Sequence, residues 1–181
     1  MKITVISYSL TGNNQALASS LATELSAKLI KITEFKTRTT TTIMLDVLFD
    51  RTPQVSPKAD ALGKNDLVVF VGPVWMGHVA TPLRAYLNYI KAKPSPYAFV
   101  SISGGSDGAN PKLAGELKKR TGQTPVALID LHVADLLSAG PKRDRDSISA
   151  YRLTNGDVKQ FTDTILGDLW KVVEKPAVVN V

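Results

Sequence analysis

Five apolar residues in a row, Leu67-Val68-Val69-Phe70-Val71, stop abruptly at Gly72-Pro73. A strand with one wet face alternates apolar and polar residues. A strand without alternation is buried on both faces, as in a parallel sheet covered by helices on each side. The run does not extend into a membrane span: Leu67 to Val79 is broken by Gly72, Pro73, Gly77 and His78, well short of the roughly 20 apolar residues required.

Around this run, strand and helix patterns alternate. Ile3-Thr4-Val5-Ile6 is a first strand, and residues 14–28 carry Leu17, Leu21 and Leu25 at helical spacing. Leu29 to Ile32 reads as a second strand. After Gly72-Pro73, Thr81-Pro82 reads as an N-cap with proline at the first helical position, followed by Leu83, Tyr86, Leu87 and Ile90 on one face. Tyr97 to Ile102 is a strand closed by Ser103-Gly104-Gly105. Asn110-Pro111 opens a helix by the same device, with Leu113 and Leu117 on its buried face. Pro125 to Leu131 is a fifth strand. A last helix carries Val158, Phe161, Ile165, Leu169 and Val172, with Asp157 and Gln160 as its capping box. Two stretches fit less well. Residues 34–65 form a long connection with a short helix near 43–50, and residues 140–146 within 132–156 read as an exposed loop.

Five strands alternating with helices imply one parallel sheet with both faces covered, and one domain over 1–181. Hydrophobic residues at 44% and charged residues at 21% are ordinary for a globular domain. The 22 basic and 16 acidic side chains give a net charge of +6, spread evenly over the two halves. That distribution holds no basic arm and does not support nucleic-acid binding. The absence of cysteine excludes disulfides, thiol catalysis and iron–sulfur clusters held by this chain. Two histidines are too few for an all-histidine metal site. The amino terminus turns polar at Ser7, too soon for a signal-peptide core, so a cytoplasmic location is expected.

In open parallel sheets, ligands bind beyond the carboxyl ends of the strands. Three loops lie there. In Ser7-Tyr8-Ser9-Leu10-Thr11-Gly12-Asn13-Asn14, two hydroxyls and a glycine precede a helix N-terminus, either a cradle suited to a terminal phosphate or an ordinary polar turn capping the helix. It lacks the lysine of a Walker loop and the G-x-G-x-x-G of a dinucleotide fold. In Gly72-Pro73-Val74-Trp75-Met76-Gly77-His78, Trp75 either stacks on a planar ligand or packs as a lid. In Ser103-Gly104-Gly105-Ser106-Asp107-Gly108, glycines either allow close backbone approach to a ligand or make a plain flexible loop before a helix, and by itself the loop favours the second reading.

Ser9-Leu10-Thr11-Gly12-Asn13 resembles the S/T-x-T-G-N/x-T phosphate loop of flavodoxins and flavodoxin-like FMN proteins. Asp66 to Trp75 looks like that family's third strand and flavin-facing loop, and residues 99–108 resemble its third loop. The resemblance implies a flavodoxin-like three-layer α/β/α sandwich with a five-stranded parallel sheet in the order 2-1-3-4-5. It implies FMN held at Ser9, Leu10, Thr11, Gly12, Asn13 and Asn14, with the flavin ring between Pro73, Val74, Trp75, Met76, Gly77 and His78 on one side and Ser103, Gly104, Gly105 and Gly108 on the other. Three features depart from the family: Asn14 replaces the usual threonine, residues 103–109 contain no aromatic, and the sequence pI is near 9.5 where electron-carrier flavodoxins are acidic.

The implied function is electron transfer through bound flavin to a redox partner protein. The alternative is an NAD(P)H-dependent quinone or flavin reductase of the same fold, which the aromatic-free third loop favours by leaving a ring face open. A phosphorelay receiver is excluded, because it needs acidic residues where Ser7-Tyr8-Ser9 and Gly72-Pro73 stand. His78 faces either the ring edge or solvent. His132 is read as structural and Tyr8 as a packing residue. Lys142, Arg143 and Arg145 form either a site for an anionic group or a solvated run.

Overall fold

The computed structural model describes residues 1–104, 110–137 and 145–173. In chain order the strands are β1 (Ile3–Ser7), β2 (Lys28–Lys31), β3 (Thr33–Glu34), β4 (Val55–Ser56), β5 (Leu67–Val71), β6 (Val74–Trp75), β7 (His78–Val79), β8 (Tyr97–Ser103) and β9 (Ala127–His132). The helices are α1 (Asn13–Glu24), α2 (Thr40–Leu48), α3 (Arg84–Ala92), α4 (Leu113–Thr121), α5 (Arg145–Ala150) and α6 (Asn155–Val173). The central sheet runs β2-β1-β5-β8-β9, all parallel. Counted among its own strands this is the expected order 2-1-3-4-5.

Side-chain alternation along the strands divides the core into two layers. Val5, Val69, Val71 and Val100 pack with Leu17 and Leu21 of α1 and Phe161, Ile165 and Leu169 of α6. Ile6, Val68, Phe70 and Phe99 pack on the opposite face with Tyr86, Leu87 and Ile90 of α3 and Leu113 and Leu117 of α4. Every residue of β5 is buried, which is why its sequence shows no alternation.

The helix starts differ from the sequence reading. Thr81 does not cap a helix: Thr81–Leu83 is a 3-10 turn leading into α3, and the buried Thr81 hydroxyl has no hydrogen-bond partner among the described residues. Asn110 does not cap α4 either; its side chain is drawn to Asp130 on β9. The capping box of α6 sits one turn earlier than expected. Thr154 accepts from the Asp157 amide at 3.2 Å, and Asp157 accepts from the Thr154 amide at 2.8 Å. In the long connection, α2 begins at Thr40 because Thr39 and Thr42 cap each other reciprocally. The antiparallel pair β3–β4 closes the base of that connection.

Candidate functional site

At the carboxyl end of β1 the chain turns into α1 through Gly12, which adopts the left-handed φ of 97°. The Ser9 hydroxyl accepts from the Gly12 amide at 3.0 Å, and the helix ladder starts with the Ala16 amide on the Gly12 carbonyl at 2.9 Å. No side chain caps α1 and no acid lies in its first turn. Its leading amides therefore remain open to an anion, with the helix dipole behind them.

Asn13 and Asn14 do something the sequence did not reveal. The buried Asn14 amide donates to the Ile102 carbonyl at 2.8 Å and accepts from the Ile102 amide at 3.0 Å. It clips α1 to the end of β8, a structural role beside the place in the cleft that the sequence reading gave it. Asn13 repeats the pattern, donating to the Tyr151 carbonyl at 3.0 Å and accepting from the Leu153 amide at 3.1 Å. It ties the same loop to the α5–α6 connection.

The loop after β5 is a hairpin. β6 and β7 pair across a two-residue turn, and both central residues, Met76 at φ 51° and Gly77 at φ 78°, are left-handed. That is the signature of the primed turn favoured in tight hairpins. Gly72, just before it, is required by close approach. A Cβ there would lie 2.5 Å from Leu83 Cδ1 and 3.3 Å from the Tyr8 carbonyl oxygen. Leu83 is fully buried and has nowhere to go. Gly72→Ala is therefore expected to destabilise the fold by about 1–3 kcal/mol. Urea denaturation checks this, and Gly72→Ala should cost less when Leu83→Ala has already made room.

Trp75, on β6, meets the Tyr8 ring edge-on at 5.8 Å, and the Arg38 guanidinium lies 5.6 Å from its ring centroid. Arg38 comes from the long connection. Its Nε donates to Glu34 Oε2 at 2.7 Å, its Nη2 pairs with Glu34 Oε1, and its Nη1 donates to Asp46 Oδ2 at 2.8 Å. The Tyr8 hydroxyl donates to Glu34 Oε2 at 2.7 Å. Burial, followed by the Glu34 carboxylate, pushes the Tyr8 hydroxyl well above its ordinary value, so it stays a donor. His78 turns to α4 instead, with Nδ1 3.4 Å from Glu116 Oε1.

Asp130 on β9 holds the residues that flank the third loop. It accepts from the Ser101 hydroxyl through one oxygen and from Asn110 Nδ2, at 2.8 Å, through the other. The Gly104 carbonyl accepts from the Ala134 amide at 3.1 Å. His132 lies between Asp130 and Asp135, at 3.4 and 3.6 Å.

These loops enclose a cleft of about 580 Å³. Of the residues singled out in the sequence, Leu10, Thr11, Asn13, Asn14, Pro73, Val74, Trp75, Met76, Gly77, Ser103 and Gly104 line it. Ser9 and Gly12 shape the first loop without lining the cleft, and His78 points elsewhere. Gly105 and Gly108 lie outside the described residues, as do Lys142 and Arg143; Arg145 begins α5. Ile102, Asn110, Val133, Ile148 and Ser149 also line the cleft. The sequence reading missed Ile148 and Ser149 because α5 reaches the cleft only through the tertiary fold. Among the described lining residues none is acidic, basic, histidine or tyrosine. The cleft offers amides, hydroxyls, an indole and apolar surface. It can hold an anion at α1 and a planar group beside Trp75, and none of these side chains is a general acid or base.

No family model matches this chain, and no curated protein is similar to it. Solved structures share its fold. A candidate flavoprotein from Bacteroides eggerthii DSM 20697 is 18% identical, with 91% of this chain and 98% of that one covered and a TM-score of 0.64. A flavoprotein from Lactobacillus acidophilus NCFM, crystallised in complex with FMN, is 19% identical, with 72% and 93% covered and a TM-score of 0.57. A flavodoxin from the domain Archaea is 17% identical, with 96% and 99% covered and a TM-score of 0.53. At these identities the likeness is one of fold: the chain has the flavodoxin-like α/β architecture.

Proposed function

We propose that the cleft binds FMN and that the protein transfers electrons through it in the cytoplasm. The observation that carries this reading is one juxtaposition. The uncapped N-terminus of α1 and Thr11 open onto the same cleft as Trp75 and Gly104. The amides of α1 and the Thr11 hydroxyl would take the phosphate. The hairpin from Pro73 to Gly77 would wall one side of the ring and Ser103-Gly104 the other. Bound FMN would supply one- or two-electron chemistry. With no charged side chain among the described lining residues, amides and the helix dipole would balance the phosphate, and a proton taken up on reduction would come from solvent.

The likeness to an FMN complex from Lactobacillus acidophilus NCFM supports the cofactor. One observation favours the reductase as a second reading. Residues 103–109 hold no aromatic side chain, so a ring face could accept hydride from NAD(P)H and pass electrons to a quinone or free flavin.

The test is a visible absorption titration of the purified chain with FMN, with riboflavin as control. Saturation near one FMN per chain and much weaker riboflavin binding are expected. Equal affinity for both would remove the phosphate cradle from the reading. Thr11→Ala should weaken FMN binding by about 0.5–1.5 kcal/mol, or somewhat more because the acceptor is charged. Anaerobic NADPH or NADH then separates the two functions: direct bleaching of the bound flavin marks a reductase, and no bleaching marks a carrier.

A further inference from the structure

Helix α2 carries five apolar residues in its nine, and none of them is fully buried. Ile43 and Val47 are half-buried on its inner face beside Asp46, while Met44, Leu45 and Leu48 face outward. Met44 is 54% exposed, Leu48 72% and Phe49, which follows, 60%. An apolar helix face normally packs against a core. The links that tie α2 and the turn after it to the protein are largely polar. Arg38 pairs with Asp46, and the buried Arg84 donates to the carbonyls of Asp46 and Arg51 at 3.0 and 2.8 Å. These links hold the helix in place while its apolar side stays outward.

The surface beside this face is cationic. Arg51 is exposed, with its guanidinium 5.2 Å from the Phe49 ring centroid. Next to it, Asp50, Thr52, Asn88, Lys91, Lys119 and Arg120 line a cavity of about 240 Å³. Arg120 is engaged with Asp50 and Glu116. Lys91 and Lys119 are exposed and make no ion pair among the described residues, and Thr52 and Asn88 line the same cavity. Apolar residues next to a cavity lined by more cations than anions match the chemistry of an anionic lipid surface, where acyl chains accept the apolar face and phosphates meet the cations. A second copy of this chain matches it less well, because a two-fold contact would bring two cationic rims together on molecules each carrying +6.

We infer that α2 and the adjoining Lys91–Lys119 cavity dock this protein on the surface of an anionic phospholipid membrane. The helix would lie in the interface and cross nothing; among the described residues no helix is long and apolar enough to span a bilayer. The inference does not depend on the flavin reading.

The test is flotation of the full chain with vesicles of phosphatidylcholine, with and without phosphatidylglycerol. Binding at least about tenfold tighter to the anionic vesicles is expected, weakening as salt is added. Lys91→Ala with Lys119→Ala should lose roughly fivefold per lysine. Met44→Ser with Leu48→Ser should lose tenfold or more, with FMN titration unchanged in both variants. Absence of a preference for anionic vesicles at low salt overturns the inference. So does binding that the Met44/Leu48 variant leaves intact, which would make it unspecific charge attraction. Self-association that this variant abolishes, without vesicle binding, overturns it in favour of a second copy.

Discussion

Replacing Arg38 by methionine is expected to destabilise the fold by about 3–5 kcal/mol, the scale for removing one partner of a buried ion pair. The Arg38 side chain is 5% exposed, and Glu34 and Asp46 are 10% and 15% exposed. Methionine keeps the apolar stem but leaves two shielded carboxylates without their cation. The guanidinium over Trp75 is also lost, a contact worth about 0.5–2 kcal/mol. Arg38→Met combined with Glu34→Gln should recover much of the loss, because the nearer carboxylate is then gone. Urea denaturation measures both variants. Tryptophan emission in a Trp170→Phe background reports on Trp75 and should shift to the red in Arg38→Met. A loss under about 1 kcal/mol would mean that solvent screens this cluster as it screens surface pairs.

Asn14→Ala is expected to destabilise the protein by about 2–4 kcal/mol and to weaken FMN binding along with it. Alanine removes both hydrogen bonds to Ile102 and strands a buried amide and a buried carbonyl at the end of β8. Ile102 lines the cleft and directly precedes Ser103 and Gly104, so disorder there would reach the third loop. Asn14→Thr, which restores the residue usual in flavodoxin loops, should not rescue the fold, since one hydroxyl cannot replace an amide that both donates and accepts. Denaturation and FMN titration of the two variants check this. A stable Asn14→Ala that merely loses FMN would return the side chain to the phosphate.

The contrast between Asn14 and Leu67–Val71 shows what was legible. The five apolar residues identify a doubly buried strand without knowledge of its neighbours, because burial on both faces leaves its mark at every position. The leucines of α1 and the apolar stripe of α6 are legible for the same reason. The three loops at the carboxyl edge follow from the order of these elements, and most of the residues they contribute do line one cleft. Caps were harder to read. Asn110 and Thr81 both precede proline as caps do, but a carboxylate on a distant strand draws the first away and a 3-10 turn displaces the second.

The sequence by itself determined the layers and the edge at which the loops gather, since periodicity and turn residues act within a few positions; the strand order followed only from the resemblance to flavodoxins. Only the tertiary structure decided how polar groups are spent. It turned Asn13 and Asn14 into clips, set Arg38 over Trp75, brought Ile148 and Ser149 to the cleft and left the apolar side of α2 facing out. A hydrogen bond or an ion pair goes to whichever partner the packed segments bring within about 3 Å. That distance is set by the packing of the whole chain, and no local pattern encodes it.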